Sequence, residues 1–164
     1  MYKNIKHMSG DSRVWIFQSD RFLDPEAQNH LRGRVSHFLS SWQAHGRDLQ
    51  ASFTIVYDLF MVVALDEASY QATGCSIDKL TRLVQELERE IGYRFLDRSQ
   101  IAFRGDDKSI QALPMNEFRA ALEKGEIKPE TTVFNNLIET LQDFNERWET
   151  SVENSWHRQW LAQT

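Results

Sequence analysis

The single thiol of the chain, Cys75, stands in Gly74-Cys75-Ser76-Ile77-Asp78, where a small-residue loop enters an amphipathic stretch that reads as a helix. A cysteine in that place lies near free helix N–H groups whose field favours negative charge, so its pKa can fall and the thiolate can serve as a nucleophile. His45 and His157 are the bases that folding could bring to it. Asp66, Glu67 and Asp78 work against this chemistry, because nearby carboxylates oppose ionisation of a thiol. There is no second cysteine to resolve an oxidised form. On balance the residues favour a structural thiol, a small hydrophobe packed at a strand-to-helix corner.

Asp66 and Glu67 end an apolar run, Phe60 to Leu65, and strand ends that open into loops often carry function. The pair could work as acid and base or hold a cation. The plainer alternative is that they shape the turn by accepting backbone N–H bonds. With Ser76, Asp78 and Arg98 they form the set of ligand-binding candidates. The tail Ser155-Trp156-His157-Arg158-Gln159-Trp160 supplies a different kind of candidate. Trp156 and Trp160 could clamp a partner, or pack over a sheet face that needs cover. The histidines give no metal pattern: His30 and His37 are seven apart on one predicted helix, whereas ligand pairs on a helix sit three or four apart. No G-x-x-x-x-G-K-[ST] and no G-x-G-x-x-G occurs, which excludes a phosphate-loop ATPase. No cofactor and no metal is expected.

The elements that must position these residues follow from pattern and punctuation. Arg13 to Gln18 is rich in β-branched and aromatic residues and reads as a strand. Asp24-Pro25 starts a helix whose apolar stripe runs through Ala27, Leu31, Val35, Phe38, Leu39 and Trp42, with Gly46 as its stop. Ala51 to Tyr57 and Phe60 to Leu65 read as two strands joined by a tight turn. The helix after the loop carries Ile77, Leu80, Leu83, Val84, Leu87 and Ile91 on one face and stops at Gly92. Gln100 to Arg104 and Ser109 to Leu113 flank Gly105-Asp106-Asp107-Lys108, a hairpin signal. A short helix closed by Gly125, a strand at Thr132 to Phe134 and a helix carrying Leu141, Phe144 and Trp148 complete the pattern.

The order through residue 104 is β-α-β-β-α-β, so the expected class is α+β: a ferredoxin-like antiparallel sheet with an added hairpin and a helical C-terminal segment. The expected organisation is a flexible N-terminal arm over residues 1–12 and a single domain over 13–164. Within that domain 13–104 form the ferredoxin-like part and 105–164 an extension packed on it. Val14 and Ile16 point to one side of the first strand and Trp15 and Phe17 to the other. Both sheet faces therefore need cover, from the segment after residue 109 or from a second copy in a homodimer. With 164 residues, 41% of them hydrophobic, the chain can bury a core without disulfides. The net charge of −5 disfavours a nucleic-acid binder, which needs clustered Lys and Arg. No leader h-region and no run long enough to span a membrane is present, so a cytoplasmic protein without membrane insertion is expected.

Val14-Trp15-Ile16-Phe17-Gln18-Ser19-Asp20-Arg21, Val63 to Glu67, Gly74 to Asp78, Asp97-Arg98, Val133 to Asn136 and Ser155-Trp156-His157 together resemble a family of uncharacterised bacterial proteins commonly labelled "ABC transporter ATPase". The resemblance runs over nearly the whole chain. Its label implies a Walker motif and an ABC signature, and neither occurs here, so it suggests kinship and no mechanism. Between Asn116 and Trp148, the spacing of Phe118, Leu122, Gly125, Ile127, Pro129, Thr131, Val133 and Trp148 is similar to that of bacterial GYF-like modules, although their Gly-Pro-Tyr-Phe core is missing. That similarity implies peptide or partner binding by the C-terminal part. The reading as a whole is of a binding or interaction protein for an unknown small molecule or protein partner, meeting its ligand near Ala68 to Asp78. A small thiol-dependent enzyme using Cys75 is the alternative.

Overall fold

A computed structural model describes residues 4–162. The chain is an α+β protein of antiparallel sheets and divides into two compact units. One unit comprises the residues up to Leu96 together with Glu139–Gln142, and the other comprises Asp97–Ile138 and the residues from Asp143 onward.

In the N-terminal unit β1 (Arg13–Gln18) leads to α1 (Pro25–Ser40), whose first turn is set by Asp24: its side chain accepts from Ala27 N–H, and Pro25 needs no partner there. α1 stops at Ser40 rather than at Gly46. Gly46, at φ 73°, and His45, at φ 51°, instead turn the chain between β2 (Gln43–Ala44) and β3 (Arg47–Asp48). A glycine after an apolar stripe suits either a helix stop or a hairpin, and Trp42 decides between them. Its ring is 2% exposed, and its indole N–H donates to Ser76 O at 2.9 Å, a bond that holds residue 42 off the helical path.

β4 (Gln50–Val56) and β5 (Phe60–Asp66) form the central hairpin. Tyr57 and Asp58 at its tip have φ of 53° and 54°, the left-handed pair of a type I′ turn built without glycine. Gln28 braces that turn by donating to Asp58 Oδ1 at 2.8 Å and to Leu23 O at 2.9 Å. The strand order is β1-β5-β4, all antiparallel. Met61, Val63 and Leu65 meet Leu31, Val35 and Leu39 of α1, and Leu80, Leu83, Val84 and Leu87 of α2 (Gly74–Ile91). Burying each of these side chains contributes roughly 1.5–3 kcal/mol. Val62 and Ala64, on the opposite face of β5, are equally sealed. A 3-10 turn at Ile5–His7 packs against β4, and Met8 and Ser12 are buried.

The expected fourth strand of this sheet is corrected. Residues 139–142 lie along β1, with Val14 N–H donating to Glu139 O at 2.9 Å, Leu141 N–H to Ser12 O at 2.8 Å, and Arg13 bridging Thr140. β6 (Gln100–Arg104) belongs to the second sheet. The reason is local. Gly105 to Ser109 closes a short loop onto β7 (Ile110–Pro114) at little entropic cost, and Ile101 and Phe103 have a core of their own to join. The first break between the two units falls between Leu96 and Asp97.

In the C-terminal unit α3 (Met115–Glu123) follows β7, and Gly125 at φ 76° reverses the chain toward β8 (Thr132–Phe134). α4 (Leu141–Arg147) leads to β9 (Glu149–Ser151), giving the order β7-β6-β8-β9. Two 3-10 turns, Val152–Asn154 and Trp156–Trp160, end the described chain. Phe118, Val133 and Val152 are fully buried at the centre of this unit, ringed by Ile101, Phe103 and Ile127.

Candidate functional site

The loop between β5 and α2 is built by the residues that could have done its chemistry. Asp66 Oδ1 accepts from Ala68 N–H at 3.0 Å and Glu67 Oε2 from Ala72 N–H at 2.9 Å, so both carboxylates serve as turn-making acceptors. Ser76 is buried in a reciprocal cap with Thr73: Thr73 N–H donates to Ser76 Oγ at 2.7 Å, and Ser76 N–H to Thr73 Oγ1 at 3.2 Å. Asp78 is exposed in α2, just past its first turn. Tyr70, 41% exposed, lies under the Arg47 guanidinium at 5.6 Å.

Cys75 is exposed, and among the described residues nothing hydrogen-bonds its sulfur. This corrects the expectation of a buried thiol: Leu80 and Ser76 take the inward positions of the first turns, which turns residue 75 outward. His45 is exposed in its hairpin turn, whereas Arg98 and His157 belong to the C-terminal unit. Arg98 is exposed there.

A groove of about 260 Å³ lies between the start of α1 and the end of α2, lined by Asp24, Glu26, His30, Glu90 and Tyr93 among others. Its carboxylates are mostly committed. Asp24 caps α1 and accepts from the Tyr93 hydroxyl at 3.1 Å. Glu90 pairs with Arg34 at 2.7 Å, and that guanidinium holds the Glu90 carboxyl below its ordinary pKa.

The C-terminal tail offers a more finished site. Ser155 caps the last 3-10 turn, its Oγ accepting from His157 N–H at 3.2 Å and lying 3.1 Å from Val152 O. The same oxygen lies 2.7 Å from His157 Nδ1. The Ser155 hydroxyl is thus within hydrogen-bond reach of both Val152 O and His157 Nδ1, and the imidazole tautomer decides which group donates in the shorter contact. The His157 side chain is 1% exposed, and desolvation pushes its pKa down to about 4, so it is neutral at physiological pH.

Around this imidazole the aromatic rings are ordered. Trp156 stacks on it with centroids 4.0 Å apart, and Phe118 lies at 5.9 Å. Trp160 stands edge-on to Trp156 at 4.9 Å and 74°. Both indoles are partly exposed while His157 and Phe118 are buried. The Arg119 guanidinium reaches to 5.9 Å over Trp160. Arg119 also lines a shallow groove of about 210 Å³ on α3 with Asn116, Ala120 and Glu123. Two partly exposed indoles set edge to face, the Arg119 cation and the α3 groove that Arg119 lines stand together in this unit.

Among the described residues no group of three His, Cys, Asp or Glu is placed to hold a metal ion, and no helix is long and apolar enough to cross a membrane. Comparison with protein-family models, with curated proteins and with solved structures found no match. Of the site residues expected from the sequence, Trp156 and Trp160 fall together, and Asp66, Glu67 and Ser76 share one loop as structural groups. His157 as the buried centre of the aromatic face, and Asn116, Arg119 and Glu123 beside it, were not anticipated. Ser155 standing ahead of an aromatic run, a helix-cap residue, was the available signal.

Proposed function

We propose that this chain is a protein-binding module whose C-terminal unit docks an extended segment of a protein partner against Trp156 and Trp160. The observation that carries the reading is the perpendicular, partly exposed indole pair seated on a buried histidine and continuous with the α3 groove through Arg119. Partly exposed tryptophans on a packed base are side chains that often dominate binding energy at interfaces, because they bury much apolar area and lose little rotamer entropy. The similarity of Asn116 to Trp148 to GYF-like modules supports this direction, and Phe118, Ile127 and Val133 from that spacing are core residues of the unit. The kinship with the bacterial family labelled "ABC transporter ATPase" stays a proposal that adds no activity. The thiol-enzyme reading lacks a hydrogen-bonded base, since among the described residues nothing hydrogen-bonds the exposed Cys75 sulfur.

We also read the N-terminal unit as a ferredoxin-like variant in which residues 139–142 stand where the fourth strand would be. The order β1-β5-β4 and the two helices packed on one face support this. Its part in the proposed function is that of a scaffold.

Peptide display on the full chain tests the docking proposal. Peptides enriched on the wild type should lose at least about ten-fold in affinity with Trp160→Ala, one hot-spot increment. They should weaken with Arg119→Glu, a change at an exposed position outside the core, and be indifferent to Cys75→Ser. Enrichment of no binder, or binders blind to both Trp160 and Arg119, would overturn the proposal.

A further inference from the structure

We infer that the open edge of β7 is a self-pairing surface. A second copy of this chain adds its own β7 antiparallel to it, across a two-fold axis through Gln111, and joins the two four-stranded sheets into one. The inference goes beyond the docking reading and does not depend on it; a dimer built this way carries two aromatic tails.

The register decides which groups of β7 are open. Gly105 N–H donates to Ser109 O at 2.9 Å and Met115 N–H to Ser99 O at 2.8 Å, so the odd-numbered residues exchange bonds with β6, Gln111 with Phe103 and Leu113 with Ile101. Ile110 and Ala112 therefore aim N–H and C=O away from the sheet, and among the described residues no hydrogen bond reaches these groups. Gln111 and Ala112 are exposed. The other edges are closed or short: residues 139–142 line β1, Ala51 is fully buried on β4, and β9 has only 3 residues. Pairing with β6 runs without a bulge, Ser109 to Leu113 carry no charge, and Pro114 stands only at the end, so the devices that protect natural edges are missing along this one.

Self-complementarity identifies the occupant. The two open residues flank Gln111 symmetrically, so a two-fold axis there sets Ile110 opposite Ala112 of the second copy and satisfies the open groups of both. Large meets small in that pair, Gln111 meets Gln111, Lys108 meets Pro114 and Asp107 meets Met115, so no like charges oppose one another. An edge of 5 residues buries little area, which places the contact in the weak, concentration-dependent class.

Sedimentation of the full chain at low ionic strength, paired with amide hydrogen exchange, tests this. The protein should be monomeric near about 1 µM and largely dimeric near about 1 mM, with exchange at Ile110 and Ala112 slowing at least about three-fold over that range. Gln111 is exposed, so Gln111→Lys and Gln111→Glu leave the fold alone while setting like charges face to face at the axis. Each should weaken self-association about two- to five-fold, and mixing the two variants should restore it as a heterodimer. Ala112→Pro, which removes an open N–H and no bond to β6, should abolish it. A monomer throughout, a dimer that leaves exchange at Ile110 and Ala112 unchanged, charge variants that associate like the wild type, or no recovery on mixing would each overturn the inference. So would protection of Ile110 and Ala112 by a display-selected peptide in a chain that does not self-associate, which assigns the edge to a foreign strand.

Discussion

Acidification should weaken the C-terminal unit through one residue. In the unfolded chain His157 titrates near its ordinary value of 6.5, whereas in the folded protein burial holds it at about 4. A folded pKa below the unfolded one means that protons bind preferentially to the unfolded chain. The His157 contribution is therefore intact above about pH 6.5, declines through the window between the two values, and is fully lost once pH falls through the folded pKa. Each pH unit inside the window costs at most about 1.4 kcal/mol, so the whole loss approaches about 3 kcal/mol. The assay is denaturant unfolding followed by tryptophan emission between pH 7.5 and 4.5, for the wild type and for His157→Gln. Between pH 6.5 and 5, before most carboxylates titrate, the wild type should lose about 1–2 kcal/mol relative to the variant. Parallel curves for the two proteins over that range, or an imidazole pKa of 6 or more by NMR, would refute the burial argument.

Trp42→Phe removes the indole donor to the buried Ser76 carbonyl and leaves a smaller ring in a sealed site, and should cost about 2–4 kcal/mol by equilibrium unfolding of the N-terminal unit. Cys75→Ser, at an exposed position, should change stability by less than about 0.5 kcal/mol, which a pair of melting curves decides. His45→Asn should stabilise by up to about 1 kcal/mol, because Asn tolerates the left-handed φ of 51° and Asn-Gly suits a type I′ turn; an unchanged or lowered unfolding midpoint would contradict the strain argument.

How much of this could be read beforehand depended on whether a residue acts locally. Asp24-Pro25 specifies its helix start through the next three residues, and the stripe Leu80, Leu83, Val84, Leu87 defines one buried helix face, so both were legible. The alternation of apolar residues on both sides of β5 correctly implied that each face is covered. Strand partnership is a non-local choice. Ile101 and Phe103 would suit either sheet, and the short hairpin to β7 settled the matter. Gly46 was ambiguous for the same reason, since only the bond from Trp42 to Ser76, thirty-four residues away, shows where the helix must end. At the candidate site the tryptophans were visible as residue types, but the role of His157 depends on Ser155, Val152 and Phe118 converging on one ring. Asp66 and Glu67 illustrate the converse: a carboxylate pair at a strand end looks chemical until its backbone partners at Ala68 and Ala72 are seen.

The central claim is that the aromatic tail of the C-terminal unit is where this protein meets its partner. Titrating a display-selected peptide into nitrogen-labelled full chain, while following the indole N–H signals of the five tryptophans, tests it most directly. The account predicts that the signals of Trp156 and Trp160 shift in step with binding while those of Trp15 and Trp42 stay in place. Shifts led by Trp15 or Trp42, with Trp156 and Trp160 unmoved, would contradict it.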